Sequence, residues 1–214
     1  MSGRSRCGCV TTIALLDYGT GNLHSLAKAM ARVGEVRIAD DVSDALCADM
    51  LVLPGVGAFG QAASETAPFR GEIRSALAEG LPCIGVCLGM QLLLDSSEES
   101  AGEGIGLIGG SVRRISAKRL PQMGWNSVDW DSVARPSRAS LRVPRLEVAY
   151  FANSFVASPS DESSVVAWAT HEGDRFPSVV RTANTVGIQF HPEKSSRAGV
   201  DFLCGVAEEL LACR

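Results

Sequence analysis

Three histidines are all that this 214-residue chain offers as imidazole bases or metal ligands: His24, His171 and His191. Its seven cysteines, at positions 7, 9, 47, 83, 87, 204 and 213, form no repeated CxxC pair. An odd count without paired spacing argues against a disulfide framework. With so few histidines it also argues against a zinc site, so neither a metal nor a cofactor is expected, and a reducing cytoplasm fits. No window reaches the ~18 consecutive apolar residues of a membrane span. The polar opening MSGRSRCGCVTT lacks the apolar core of a secretory signal, and residues 1–11 read as a loose extension. Basic charge is not in excess, since 20 Lys+Arg against 24 Asp+Glu leave a net charge of -4. A protein without a global positive field is a poor nucleic-acid partner. Arg113, Arg114, Lys118 and Arg119 do cluster locally, and this stretch reads as a solvated strand and loop.

No internal repeat or low-complexity segment breaks the chain, and its length suits one domain with a substantial core. Short apolar runs at 13–17, 50–53 and 83–86 read as strands, with a further candidate at 36–38. Helical spacing covers 23–33, 69–79, where Gly80 suits the C-terminal cap, and the start of 88–94. Between them, DYGTGN marks a turn and ADDVSDALCAD a polar connection. Strands alternating with amphipathic helices predict a mostly parallel sheet flanked by helices on both faces. The second half is richer in strands, at 109–115, 127–130, 150–157, 165–170, 178–182 and 186–190, before a closing helix over 197–211. The fold class is therefore α/β with an antiparallel extension. Alternating Pro, Arg and Ser over 131–145 read as an exposed loop.

The sharpest local signal is Gly85-Val86-Cys87-Leu88-Gly89, lying between a strand and a helix. It matches the nucleophile-elbow pattern G-x-S-x-G with cysteine in place of serine. So tight a turn needs small residues two before and two after the nucleophile. It lifts the thiol to a helix N-terminus, where the dipole favours the thiolate, and aims the Leu88 N–H toward an oxyanion. The plainer alternative is a buried structural cysteine, which is how Cys83, inside the strand, is read. His191 ends an apolar strand at the sheet edge where open α/β folds place their sites. Glu193 follows two residues later and could orient the imidazole. His24 reads as a surface or capping residue, and His171 lacks a rigidly placed carboxylate. Pro54-Gly55-Val56-Gly57 ends another apolar strand, as either an ordinary turn or the source of a second oxyanion donor.

Taken together, DYGTGNLHSL, LPGVGAFG, PCIGVCLGMQLLL, GLIGGSVRRI, LPQMGWN and GIQFHPEKS resemble class I glutamine amidotransferases. More narrowly they resemble the glutaminase subunit of imidazole glycerol phosphate synthase, over roughly residues 13–205. The resemblance implies a flavodoxin-like amidotransferase domain over 12–214 and a triad of Cys87, His191 and Glu193. It implies an oxyanion hole from Val56 and Leu88, and glutamine held by Gly55, Gly57, Gln91, Asn153, Ser154 and Phe155. The expected partner is a (β/α)8-barrel cyclase in a heterodimer of histidine biosynthesis. Met123, Trp125, Asn126 and Lys194 would lie at or near that interface. From the residues alone, Met123 and Trp125 read as core packing and Lys194 as a solvated charge.

Two departures from that family stand out. Gln122 occupies a position where the family usually carries histidine. Asn153-Ser154-Phe155 replaces a His-Ser-Tyr type segment after Tyr150-Phe151-Ala152. Neither removes a triad group, and both leave open a paralogous glutaminase feeding ammonia to a different synthase. A cysteine hydrolase acting alone would share the elbow without needing LPGVGAFG, MGWN or HPEKS.

Overall fold

The computed structural model describes residues 10–19, 23–130 and 141–213. The extension expected over 1–11 therefore lies, all but its last two residues, outside the described residues. So do the end of the DYGTGN turn and most of the 131–145 segment. The first-half strands are β1 (Thr12–Leu16), β2 (Glu35–Ala39), β3 (Met50–Leu53) and β4 (Cys83–Val86). They join β8 (Asp129–Trp130), β11 (Val165–His171), β12 (Asp174–Thr182) and β13 (Thr185–Ile188) in one eight-stranded sheet. Its order is β2-β1-β3-β4-β13-β12-β11-β8. The five strands from β2 to β13 pair in parallel, and β12, β11 and β8 continue antiparallel.

Period-two alternation divides the core between the two faces of this sheet. Ile13, Leu15, Met50, Val52, Ile84 and Val86 point to one side. There they pack with α1 (His24–Met30) and α6 (Ser196–Ala212) through Leu26, Met30, Phe202, Leu203 and Val206. Ala14, Leu16, Leu51, Leu53 and Cys83 point to the other. That face is covered by α2 (Val42–Leu46), α3 (Phe59–Thr66), α4 (Arg70–Ala78) and α5 (Leu88–Leu92). β3, β4 and β13 are buried at every position, as apolar runs covered on both faces should be.

The helix pattern misses two short elements. The polar connection after β2 contains α2, capped by Asp41, whose carboxylate accepts from the Ser43 N–H at 2.7 Å. Only Val42 and Ala45 of α2 are buried, too few to mark a helical period. α3 buries Phe59, Ala62, Ala63 and Thr66, a face of mostly small residues. The strand expected over 150–157 breaks at Ser154. Its first part, β9 (Val148–Asn153), pairs antiparallel with β7 (Gln122–Ser127) as a separate ribbon. Its second part, β10 (Phe155–Pro159), joins β6 (Gly110–Arg114), which in turn pairs with β5 (Ser96–Ser97).

The basic stretch is not simply solvated. Arg113 holds Asp174 through two bonds, at 2.7 and 2.9 Å, and Arg119 reaches Glu172 at 2.8 Å. Glu172 also accepts from the Lys118 and Arg119 N–H groups. The Arg119 guanidinium and these two N–H groups bring its carboxyl down to about 2. The turn between β11 and β12 thereby anchors the loop that leads into β7.

Candidate active site

Cys87 joins β4 to α5 in a conformation that side chains rarely adopt, with φ 48° and ψ -102°. Such backbone strain costs about 1–3 kcal/mol and persists where the surroundings enforce it. The enforcement is visible in the packing. A Cβ on Gly85 would lie 2.6 Å from the Gly89 carbonyl oxygen, and one on Gly89 would lie 2.0 Å from that of Leu53. The Cys87 N–H donates to Ile188 at 2.6 Å, tying the elbow to β13. Close approach also brings in the loop after β3, since a Cβ on Gly55 would meet the Val86 carbonyl oxygen at 2.2 Å. From below, the buried Tyr18 hydroxyl donates to the Pro54 carbonyl.

His191 leaves β13 with its backbone pinned from two sides. Its N–H donates to Tyr150 at 2.9 Å, and its carbonyl accepts from Ser195 Oγ at 2.7 Å. Ser195 Oγ in turn accepts from the Tyr150 N–H at 2.8 Å. The imidazole Nδ1–H donates to Glu193 Oε1 at 2.9 Å, with both side chains buried. This leaves the other ring nitrogen available to Cys87, which lines the same cleft. Burial alone would push the imidazole pKa down. The hydrogen bonds and charges of Cys87 and Glu193 outweigh it and raise the value to about 9. The stability this raised group contributes is complete below its ordinary value of about 6.5 and fades as pH rises through about 9. Cys87→Ala removes one of the two partners, so the His191 midpoint followed by NMR should fall toward the ordinary value. An unchanged midpoint would mean that Glu193 alone holds it.

These groups open onto a cleft of about 330 Å3 at the carboxyl ends of β3, β4 and β13, where open parallel sheets place ligands. Gly55, Val56 and Gly57 form one side, with Cys87, Leu88 and Gln91 beside them. Ala152, Asn153, Ser154 and Phe155 stand across the cleft, and His191, Lys194, Pro121 and Glu99 line it as well. The break between β9 and β10 thus puts the four central residues of that segment into the cleft. His24, at the start of α1, and His171, on β11, are not among its lining residues. His171 instead lies 3.0 Å from the Arg119 carbonyl oxygen.

The two departures from the family pattern form one local feature. Gln122 and Asn153 are register partners across β7 and β9. Both are buried, and each keeps a buried carbonyl oxygen with no partner among the described residues. The packing reading of Met123 and Trp125 is overturned, since they are 71% and 57% exposed on the ribbon. Strand alternation turns Gln122 inward and these two outward, and Trp125 packs edge-on against Tyr150 with centroids 6.3 Å apart. Asn126 donates from Nδ2 to Thr170 O at 2.9 Å, fastening the ribbon to β11. The motif reading overlooked Tyr18 and Gln189. Gln189 was visible as a lone polar residue in the apolar run 186–190, but the groups its side chain meets lie far away along the chain.

The family Glutamine amidotransferase class-I matches residues 14–203. The imidazole glycerol phosphate synthase subunit HisH of Symbiobacterium thermophilum is 44% identical over 197 residues, covering 89% of this chain and 91% of that protein. The subunit of the same name from Natronomonas pharaonis is 41% identical over 201 residues, covering 89% and 91%. Among solved structures, that of PurLQS from Thermotoga maritima superposes with a TM-score of 0.70 at 20% identity. It covers 95% of this chain and 99% of that one, a likeness of fold. The chain belongs to the class I glutamine amidotransferase family and is a homologue of the imidazole glycerol phosphate synthase subunit HisH.

Proposed function

We propose that this chain is the glutaminase subunit of an imidazole glycerol phosphate synthase, with Cys87, His191 and Glu193 as its triad. The observation that carries the reading is the strained cysteine beside an imidazole that a buried carboxylate orients. The Cys87 thiolate attacks the side-chain amide carbon of glutamine. The Val56 and Leu88 N–H groups receive the negative oxygen of the tetrahedral intermediate. His191 gives its proton to the departing nitrogen, which leaves as ammonia, and a γ-glutamyl thioester remains on sulfur. Water, deprotonated by His191, then cleaves the thioester to glutamate and restores the thiolate. The sum is glutamine plus water giving glutamate plus ammonia.

Ammonia released into water is protonated and loses its nucleophilicity, so a glutaminase of this kind is useful docked on the enzyme that consumes it. The ribbon supports such docking, because Met123 and Trp125 present large apolar surface beside a cleft that Lys194 also lines. The occupant in this reading is a (β/α)8-barrel cyclase of histidine biosynthesis. The test is glutamate release by this chain with and without a histidine-pathway cyclase subunit and its nucleotide ligand. A rise of tenfold or more that needs both is expected. Absence of any rise, with a cyclase active on ammonia salts, would assign the glutaminase to another synthase.

A further inference from the structure

Gln189 follows β13 and is fully buried, with its Nε2 3.6 Å from the Cys87 sulfur. Its backbone N–H is spent on Ser178 O at 2.8 Å, so the side-chain amide is what meets the site. A primary amide has two orientations, and the partners decide which end faces the sulfur. The Phe155 carbonyl only accepts, so Gln91 must turn its Nε2 toward it, at 3.0 Å. That nitrogen carries a second hydrogen and lies 3.5 Å from Gln189 Oε1. Reversing Gln189 would set two NH2 groups against each other and press a carbonyl oxygen onto an electron-rich sulfur. Phe155 therefore orients Gln91, Gln91 orients Gln189, and Gln189 turns an N–H toward Cys87. Asn153 Nδ2 donates to the same Phe155 oxygen at 3.1 Å, so the cleft wall anchors the whole series.

We propose that Gln189 is a further residue of the catalytic machinery, donating a hydrogen bond from its side-chain amide to the Cys87 sulfur alongside His191. The inference rests on Cys87 being the nucleophile. A donor to sulfur favours the charged thiolate over the neutral thiol and limits the directions the sulfur can take. In the thioester the sulfur is neutral and a weak acceptor. When water expels it, the charge returns to an N–H already in place. A residue that merely filled this buried space would have no effect on how the sulfur responds to pH.

The test uses the full chain with Gln189→Met, which keeps length and bulk but has no donor. Iodoacetamide labelling of Cys87 is followed by mass spectrometry of its peptide across pH, which separates it from the exposed Cys47 and Cys213. The labelling midpoint should move up by about one pH unit, and the rate at pH 7 should fall about tenfold. A profile matching the wild type overturns the proposal. Should Gln189→Met fail to fold, Gln91→Met is read in the same way. It leaves Gln189 in place without its orienting partner, a smaller upward shift is expected, and no shift again overturns the proposal. Cys87→Ala, which has no nucleophile at this position, separates the two levels of the argument. Retained glutamine hydrolysis in Cys87→Ala removes the nucleophile assignment itself, whereas an inert Cys87→Ala beside an unshifted Gln189→Met removes only the role of Gln189.

Discussion

Cys87→Ala should lose glutamine hydrolysis by more than about 1000-fold, because covalent catalysis has no other route once the nucleophile is gone. The change removes one atom from a buried position, so the fold should survive it. Alanine keeps the Cβ, however, and with it the strain of a residue at φ 48°. Cys87→Gly separates chemistry from strain. It should be equally inactive yet more stable than Cys87→Ala by about 1 kcal/mol, within the range such conformations cost. For a chain of this size that corresponds to about 2–4 °C in Tm. Glutamate release and thermal denaturation of the two variants measure both quantities. Residual turnover in Cys87→Ala would remove the nucleophile assignment, and equal melting temperatures would mean that the elbow relaxes at no cost.

The second large effect concerns the fold around that elbow. Gly89→Ala would put a Cβ 2.0 Å from the Leu53 carbonyl oxygen and 2.6 Å from its carbon. Both are backbone atoms of a central, fully buried strand, so no flexible side chain can yield. Either α5 or β3 has to shift, and overpacking that moves backbone costs about 3 kcal/mol or more. The shift would also part the elbow from the Gly55 loop, which packs against Val86. Stability and glutaminase activity should therefore fall together. Gly71→Ala is the control, since its Cβ meets nothing within 4 Å and the residue lies in α4. It should gain about 0.5 kcal/mol from helix propensity. Urea unfolding of the two variants gives the comparison, and wild-type stability in Gly89→Ala would mean that the elbow has slack the packing does not reveal.

What could be read from the residues had a local cause. β3 and β4 announce themselves because strands buried on both faces must be apolar at every position. The elbow is legible because the turn crowds Gly85 against its own Gly89 backbone, while the small residue at 89 also answers to the Leu53 carbonyl of the neighbouring strand. Glu193 lies only two residues from His191, so their pairing at 2.9 Å is a short-range relation. α2 and α3 escaped because brief helices with small buried faces carry almost no periodic signal.

By itself, then, the sequence determined the parallel-sheet class, the cysteine elbow and the histidine–glutamate pair, each through spacing within a few residues. The tertiary structure alone decided that Gln122 faces Asn153, that Met123 and Trp125 point to solvent, and that Gln189 meets the sulfur. Gln189 lies 98 residues from the glutamine that orients it and 102 from the cysteine it touches. Which end of its amide faces the sulfur depends on the Phe155 carbonyl, held on a different sheet. A side chain's hydrogen-bonding direction is set by the groups packed around it, and no spacing along the chain encodes which groups those will be.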